Sequence, residues 1–436
     1  MDLRQDPRQS GTHSAKAAKP FRLTKSDEAL LELVQRQTFR YFWDFAHPHC
    51  GLARDRSDPK SQDKIDVVVS GGSGFGVMAI VVAVERGWIT REQAVERLTT
   101  IIDFLFSIPC YHGVMPHMLN GNTGNVIHLG RKDDGGDLVE TAFLVVGLLC
   151  ARQYFNRDNA VESHLRQIIN WFWEETEWDW HARDGGNVLY WHWSPNNGWA
   201  MNFELRGWNE ALITYVLGAS SPRYPINPDV YHKGWAEGRK FTNGRRYYDI
   251  ELPLGPDYGG PMFFAHYSFL GLDPRGLKDR YADYWQQNVQ HVRINREHCV
   301  RNPNGFAGYG EHAWGLTSCD GPDGYGAYAP DSDAGVIAPT AALSSMPYAP
   351  DHSLAALKHF HGTLGHQLWR DYGFVDGFCE SRGWYADTHL AIDQGPIIIM
   401  IENYRTGLLW NLFMSCPEIQ HGLRRLGFES PHLAAK

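Results

Sequence analysis

The chain lacks most of the marks from which a function is read directly. Its seven cysteines (Cys50, Cys110, Cys150, Cys299, Cys319, Cys379 and Cys416) are scattered without a C-x-x-C pair, which argues against a disulfide framework and a structural zinc site. No Lys/Arg cluster interleaves with aromatics, and Asp plus Glu outnumber Lys plus Arg by 50 to 41, for a net charge of −9. Nucleic acid and anionic membranes are poor partners for such a surface. The longest apolar run, "FLVVGLLCA", has nine residues, far short of a membrane span. The polar start, "MDLRQDPRQSGTHSAKAAKPFRLTK", has no apolar secretory core. Residues 1–25 read as a disordered leader ahead of one domain over 26–430. The compartment stays open: periplasmic or secreted if a leader has been removed, cytoplasmic otherwise.

Catalytic signatures are missing too. G-x-S-x-G and H-E-x-x-H do not occur, and "DGPDGYGAYAPDSD" lacks the ligand spacing of an EF-hand. In "KIDVVVSGGSGFGVMAIVVAV" the set Gly74, Gly76 and Ala79 imitates a dinucleotide fingerprint. The next segment is another amphipathic helix, "GWITREQAVERLTTIIDF", where that motif needs a second parallel strand. The expectation is therefore no metal and no cofactor, with the glycines letting a loop enter a tightly packed helix.

What is present is aromatic and helical. The 16 Trp, 20 Tyr and 21 Phe are more than core packing asks for, and Trp on Gly-rich loops suits stacking against amphipathic rings such as sugars. From Ser26 two kinds of helix alternate. Amphipathic ones include "REQAVERLTTIIDFLF", with Val95, Leu98, Ile102 and Leu105 at helical spacing, and "AVESHLRQIINWFW". About six others are apolar nearly all round: "GFGVMAIVVAV", "DLVETAFLVVGLL", "NEALITYVLGA", "GGPMFFAHYSFLGL", "DAGVIAPTAALSSM" and "GPIIIMIENYRTGLL". The 436 residues exceed the ~250–300 at which single cores stop growing, yet two concentric rings of six helices would hold them in one domain. The expected fold is all-α, an (α/α)6 barrel, with "RRYYDIELPLG" and "NVLYWHWS" as local hairpins in long loops.

If the inner helices run the same way, their N-terminal loops meet at one mouth, and those loops carry the acids. "DDGGDLVETA" crowds Asp133, Asp137 and Glu140 at i, i+4 and i+7 spacing, a single face if helical. One Asp suffices to cap a helix; three like charges repel. Glu210 lies beside Trp208 at the entry of an apolar helix, as a helix-cap glutamate or as a desolvated acid with raised pKa. Asp393 stands before another apolar helix, with Pro396 suited to a first turn; its plain alternative is N-capping. Paired carboxylates without a nucleophilic serine point to glycoside hydrolysis, with a carboxyl separation of ~6.5–9.5 Å for inversion and ~5–5.5 Å for retention.

Four stretches, "GGDLVETAFL", "RGWNEALITYVLGASSP", "WGLTSCDGPDGYGAYAP" and "DQGPIIIMIENYRTGLLW", together resemble the bacterial endo-β-1,2-glucanases, a glucoamylase-like family, over residues 27 to 428. The resemblance implies an (α/α)6 barrel and inverting attack on β-1,2-glucan, releasing sophoro-oligosaccharides. It implies Glu210 as general acid and Asp133, Asp137, Glu140 and Asp393 as further essential acids, with Asp393 ahead of Asp137 as the base. It makes "CDGPDGYGAY" a substrate-binding loop carrying Asp323 and Tyr325, with Trp314 upstream. Trp208, Trp314 and Trp384 are expected to line the groove as stacking platforms, so that losing Trp208 harms substrate handling more than folding. A monomer is expected. An exo-enzyme releasing sophorose, a non-catalytic β-glucan-binding protein and, behind both, an (α/α) lyase are the alternatives.

Overall fold

Capping residues open the helices of the outer layer where the sequence places them. In the computed structural model, which describes residues 23–61, 64–238 and 241–433, Thr24 and Asp27 form a reciprocal capping box at α1 (Lys25–Trp43). After α2 (Ser70–Glu85), Thr90 and Gln93 do the same for α3 (Arg91–Ser107), satisfying N–H groups that a helix leaves open. α4 (Leu138–Tyr154) begins behind Asp137 and α5 (Ala160–Glu174) behind Asn159. Then come α6 (Leu212–Ser220), a π-helical turn (Val230–Trp235) and α7 (Tyr284–Arg301), capped by Asp283. The chain closes with α8 (Pro339–Leu343), α9 (Pro350–Gly362), one-turn α10 (Gly365–Leu368), α11 (Ala391–Arg405), α12 (Leu408–Met414) and α13 (Pro417–Arg425).

The inner ring is α2, α4, α6, the turns Met262–Ala265 and Tyr267–Leu270, α8 and α11, and it closes where α11 packs back on α2. Outside it lie α1, α3, α5, the π turn, α7 and α9, while α12 and α13 cover α4 and α6. The fold is the expected all-α (α/α)6 barrel. Of the expected leader, residues 1–22 lie outside the described residues, and Lys25 already belongs to α1.

Two inner segments depart from continuous helix. The two 3-10 turns, Met262–Ala265 and Tyr267–Leu270, follow Gly259 and Gly260 at φ +100° and +78°, with Pro261 entering the first turn and His266 breaking between them. The irregular backbone finds outside partners, as the Tyr348 hydroxyl donates to the Ala265 carbonyl (3.2 Å). "DAGVIAPTAALSSM" keeps only the five residues of α8, started by Pro339 at its first position. Pro396 is a further difference: α11 starts at Ala391, which puts the proline inside the helix.

Of the expected hairpins, Thr242–Tyr247 pairs antiparallel with Ile250–Leu254 across Tyr248 and Asp249, both at positive φ. "NVLYWHWS" also folds back locally, with antiparallel bridges Tyr190 to Glu204 and Ser194 to Gly198. Its strand His192–Trp193 runs antiparallel to Gly136–Asp137 and ties that loop to the acids before α4.

The glycines of "SGGSGFG" serve helix-to-helix approach inside α2. A Cβ on Gly74 would stand 2.2 Å from the Phe143 carbonyl of α4, and one on Gly147 would stand 2.2 Å from the Gly74 carbonyl. The two backbones meet with no room for a methyl group. Gly74→Ala is expected to cost at least ~1–3 kcal/mol, the usual effect of overpacking a filled core, seen as a lowered midpoint in denaturant melts; an unchanged midpoint would contradict the contact.

Candidate active site

The N-terminal ends of the inner segments surround a cavity of about 380 Å3. Val69 reaches it from the N-cap of α2 and Gly72 from α2 itself, Val139, Glu140 and Phe143 from α4, Glu210 from the approach to α6, Phe263 and Tyr267 from the 3-10 turns, and Ile392 from α11. Asp55, Arg56, His117, Trp191 and Tyr325 complete its polar and aromatic wall. The volume lies in the range of small-ligand sites.

The acids of "DDGGDLVETA" converge, but not along one helical face. Asp137 is the N-cap of α4: its Oδ1 accepts from the N–H groups of Val139 (3.0 Å) and Glu140 (2.9 Å). Its Oδ2 accepts from the Trp191 indole (2.8 Å), so an aromatic wall residue fixes the carboxylate. Glu140 is in the first turn, with Oε2 accepting from the Gly71 N–H (3.0 Å) at the start of α2. Asp133 precedes the helix on a turn and sits 3.4 Å from His192.

What reconciles these charges is His117, whose Nδ1 lies 3.4 Å from Asp137 and whose Nε2 lies 4.0 Å from Glu140. Burial works against a charged ring, but Glu140, Asp137 and Asp133 outweigh it and raise the His117 pKa to about 10. The ring is an imidazolium at neutral pH. Burial still pushes Glu140 up to about 7 against the pull of His117. Burial also lifts Asp133, aided by Asp137.

Glu210 is not a helix cap. It precedes α6, whose N-cap is Ala211, and its backbone carbonyl is fixed by the Ser268 hydroxyl. Burial, with smaller contributions from Glu140 and Asp137, raises its carboxyl to about 7. Asp393 is not a cap either; it is buried in the first turn of α11, behind the cavity wall. Burial and then Asp376 hold it well above the usual carboxylate range.

The chain is similar to known proteins over nearly its whole length. The family model glycoamylase, described as "putative glucoamylase", matches residues 202–417. A crystal structure of the same description, from Bacteroides uniformis, is 57% identical with TM-score 0.92, over 95% of this chain and 100% of that one. The endo-β-1,2-glucanase of Chitinophaga pinensis is 50% identical with TM-score 0.91, over 94% of this chain and 100% of that one. The chain belongs to the glucoamylase-like family of glycoside hydrolases. It is also 44% identical, over 92% of its length, to an exo β-1,2-glucooligosaccharide sophorohydrolase of Parabacteroides distasonis, and spans 58% of the length of that curated relative.

In this glucoamylase-like protein the aromatic platforms differ from expectation. Trp208 is 3% exposed and stacks on Tyr284 at 5.8 Å, and Trp314 is fully buried. Both are core residues. Trp384 packs against the small cluster of Cys319, Val336, Ala338 and Cys379 rather than in the cavity wall. Asp323 stands at a hairpin tip, 84% exposed and paired with Arg382 (2.6 Å). Tyr325, on the same hairpin, does line the cavity. Loop position was the sole signal for the three Trp residues, and it does not separate an exposed indole from one folded inward. Sequence reading missed His117, Trp191, Tyr267 and Arg56. Trp191 had the best signal, lying in the aromatic segment "NVLYWHWS" two residues from Trp193. Among the described residues no group of three or more His, Cys, Asp or Glu is arranged to hold a metal ion.

Trp208→Ala is therefore expected to cost ~3–5 kcal/mol, as for a core Trp, read as a large drop in melting temperature. A variant with wild-type stability and impaired substrate binding would restore the platform role.

Proposed function

We propose that the protein is an endo-acting β-1,2-glucan hydrolase that inverts the anomeric centre, with Glu210 as general acid and Asp393 as the acceptor of the water proton. The observation that carries this reading is the Glu210 carboxyl, in the cavity wall and held by burial to about 7. An acid with that pKa is protonated in half or more of the molecules up to neutrality, so it can supply a proton to a departing sugar oxygen. Asp137 and Glu140 are engaged by α4, Trp191 and Gly71, which leaves them to hold His117 and shape the cavity.

Endo action on β-1,2-glucan is supported by the 50% identity to the Chitinophaga enzyme over all of that chain. Exo release of sophorose is the second reading, favoured by the name of the Parabacteroides relative. Tyr325, together with Leu129 and Phe203, exposes apolar surface at 51–53%. Tyr325 and Leu129 line the cavity, and the Phe203 ring lies 5.3 Å from that of Trp191. Such surfaces suit the apolar faces of sugar rings.

Chromatography of products from linear β-1,2-glucan separates the readings: mixed sophoro-oligosaccharides early in the reaction are expected, whereas sophorose alone would replace endo with exo action. Glu210→Gln is expected to lower kcat by ~10²–10⁴-fold. Because the acid works protonated, wild-type activity should fall as pH rises through about 7. If Glu210→Gln retains wild-type turnover, the acid assignment is wrong.

A further inference from the structure

Asp393 is 1% exposed and does not line the cavity. Tyr267 does, and its hydroxyl donates to Asp393 Oδ1 at 3.5 Å. The other oxygen, Asp393 Oδ2, is buried with no N–H or O–H donor. Asp376, also 1% exposed, mirrors it: Oδ2 accepts from the Asp320 N–H at 2.6 Å, while Oδ1 is buried without a donor. The two carboxyls lie within hydrogen-bond reach of one another. Two ionised carboxylates here would combine mutual repulsion with two orphaned oxygens. One shared proton removes both costs.

The nearby cation and threonine hydroxyls are engaged elsewhere. Arg56 comes from the strand Arg56–Ser57 but is engaged by Asp320 (3.1 and 3.2 Å) and Asp55 (3.0 Å). Thr388 donates to Asp320 (2.6 Å), and Thr340 on α8 to the Asp393 carbonyl (2.7 Å). Cys319, Asp320 and Tyr325 face the pair from the hairpin, and Tyr267 from the 3-10 turns. Burial, then neighbouring carboxylates, hold both Asp376 and Asp393 above the usual range.

We infer that Asp376 is a positioning residue that shares one proton with Asp393, and that this singly charged pair takes up the proton of the attacking water through the Tyr267 hydroxyl. The inference rests on the hydrolase reading above. In the step, water gives a proton to Tyr267 Oη as the Tyr267 proton passes to Asp393 Oδ1. The water oxygen bonds to the anomeric carbon, the bond from that carbon to the leaving sugar oxygen breaks, and that oxygen takes the Glu210 proton. The pair ends neutral with two protons and Glu210 ends ionised; solvent returns one proton from the pair to Glu210.

Infrared spectroscopy tests the shared proton without substrate. At about pH 9, two units above the Glu210 and Glu140 values, those acids are ~99% ionised. The carbonyl stretch of a protonated carboxyl should remain in wild type and vanish in Asp376→Asn and Asp393→Asn. Its absence from wild type, or its persistence in a folded Asp376→Asn, overturns the pair. Kinetics on β-1,2-glucan test its role. In the singly charged pair the shared proton steadies ionised Asp393, and an amide is a weaker donor, so Asp376→Asn should move the acid limb of kcat/KM up by about one unit and leave the alkaline limb in place. Asp376→Glu should restore the limb towards wild type. Tyr267→Phe should cut kcat by ~10²-fold or more while keeping the infrared band. An unmoved acid limb in Asp376→Asn overturns the positioning role, and an unchanged kcat in Tyr267→Phe overturns the relay. If wild type leaves β-1,2-glucan intact, the hydrolase reading and the catalytic role fail together, and the infrared band alone decides the shared proton.

Discussion

A half-buried imidazolium between two carboxylates is the interaction on which the cavity depends. Without His117, Asp137 and Glu140 would stand side by side in a desolvated pocket, and the helix they open would begin with uncompensated charge. The cation lets the carboxylates stay where they have structural duties, one on the first N–H groups of α4 and one on the first turn of α2. Glu210 has no such cation among its influences, and burial drives it towards its neutral form. Burial lifts Glu140 to about 7 as well, but that acid is tied to His117 and the Gly71 N–H, whereas Glu210 faces the cavity without a cation beside it.

The second constraint is steric. Glu140 Oε2 reaches the Gly71 N–H because no side chain stands there; a Cβ on Gly71 would sit 2.2 Å from that oxygen. One helix turn further in, Gly74 and Gly147 let α2 and α4 touch backbone to backbone. The same glycine run thus sets the spacing of two inner helices and opens the N-terminus of one to a carboxylate of the other. That resembles an anion site at a helix N-terminus, occupied by the protein's own side chain.

Much of this was legible in the chain. Alternation of amphipathic with uniformly apolar helices carried the two-ring architecture, because all-round burial leaves a helix nowhere to go except inside a ring. Acids at the starts of apolar segments marked the mouth, and Glu140 and Glu210 reach its cavity. What could not be read was pairing at a distance. Nothing near His117 announces that a strand pairing Met118–Asn120 with Val67–Val69 brings it to Asp137. Nor does the sequence around Asp376 show that it meets Asp393 through a fold-back of the chain. The Trp platforms failed for a related reason. An indole in a polar loop looks exposed until the loop folds over it, as happens for Trp208 and Trp314.

The hairpin that carries Tyr325 to the cavity is fastened unequally along its length. At its base, Asp320 is gripped by Arg56, Thr388 and, through its own N–H, Asp376, all with little contact with water. At its tip the tie is the Asp323–Arg382 pair, with both side chains half or more exposed. A pair of that kind contributes ~0–1 kcal/mol and weakens as salt shortens the Debye length from ~10 Å at 0.1 M to ~3 Å at 1 M. One wall of the cleft is therefore stiff where the acids are and compliant at its outer edge. The ionic strength of the medium, with no change in the buried machinery, sets how firmly that edge is held.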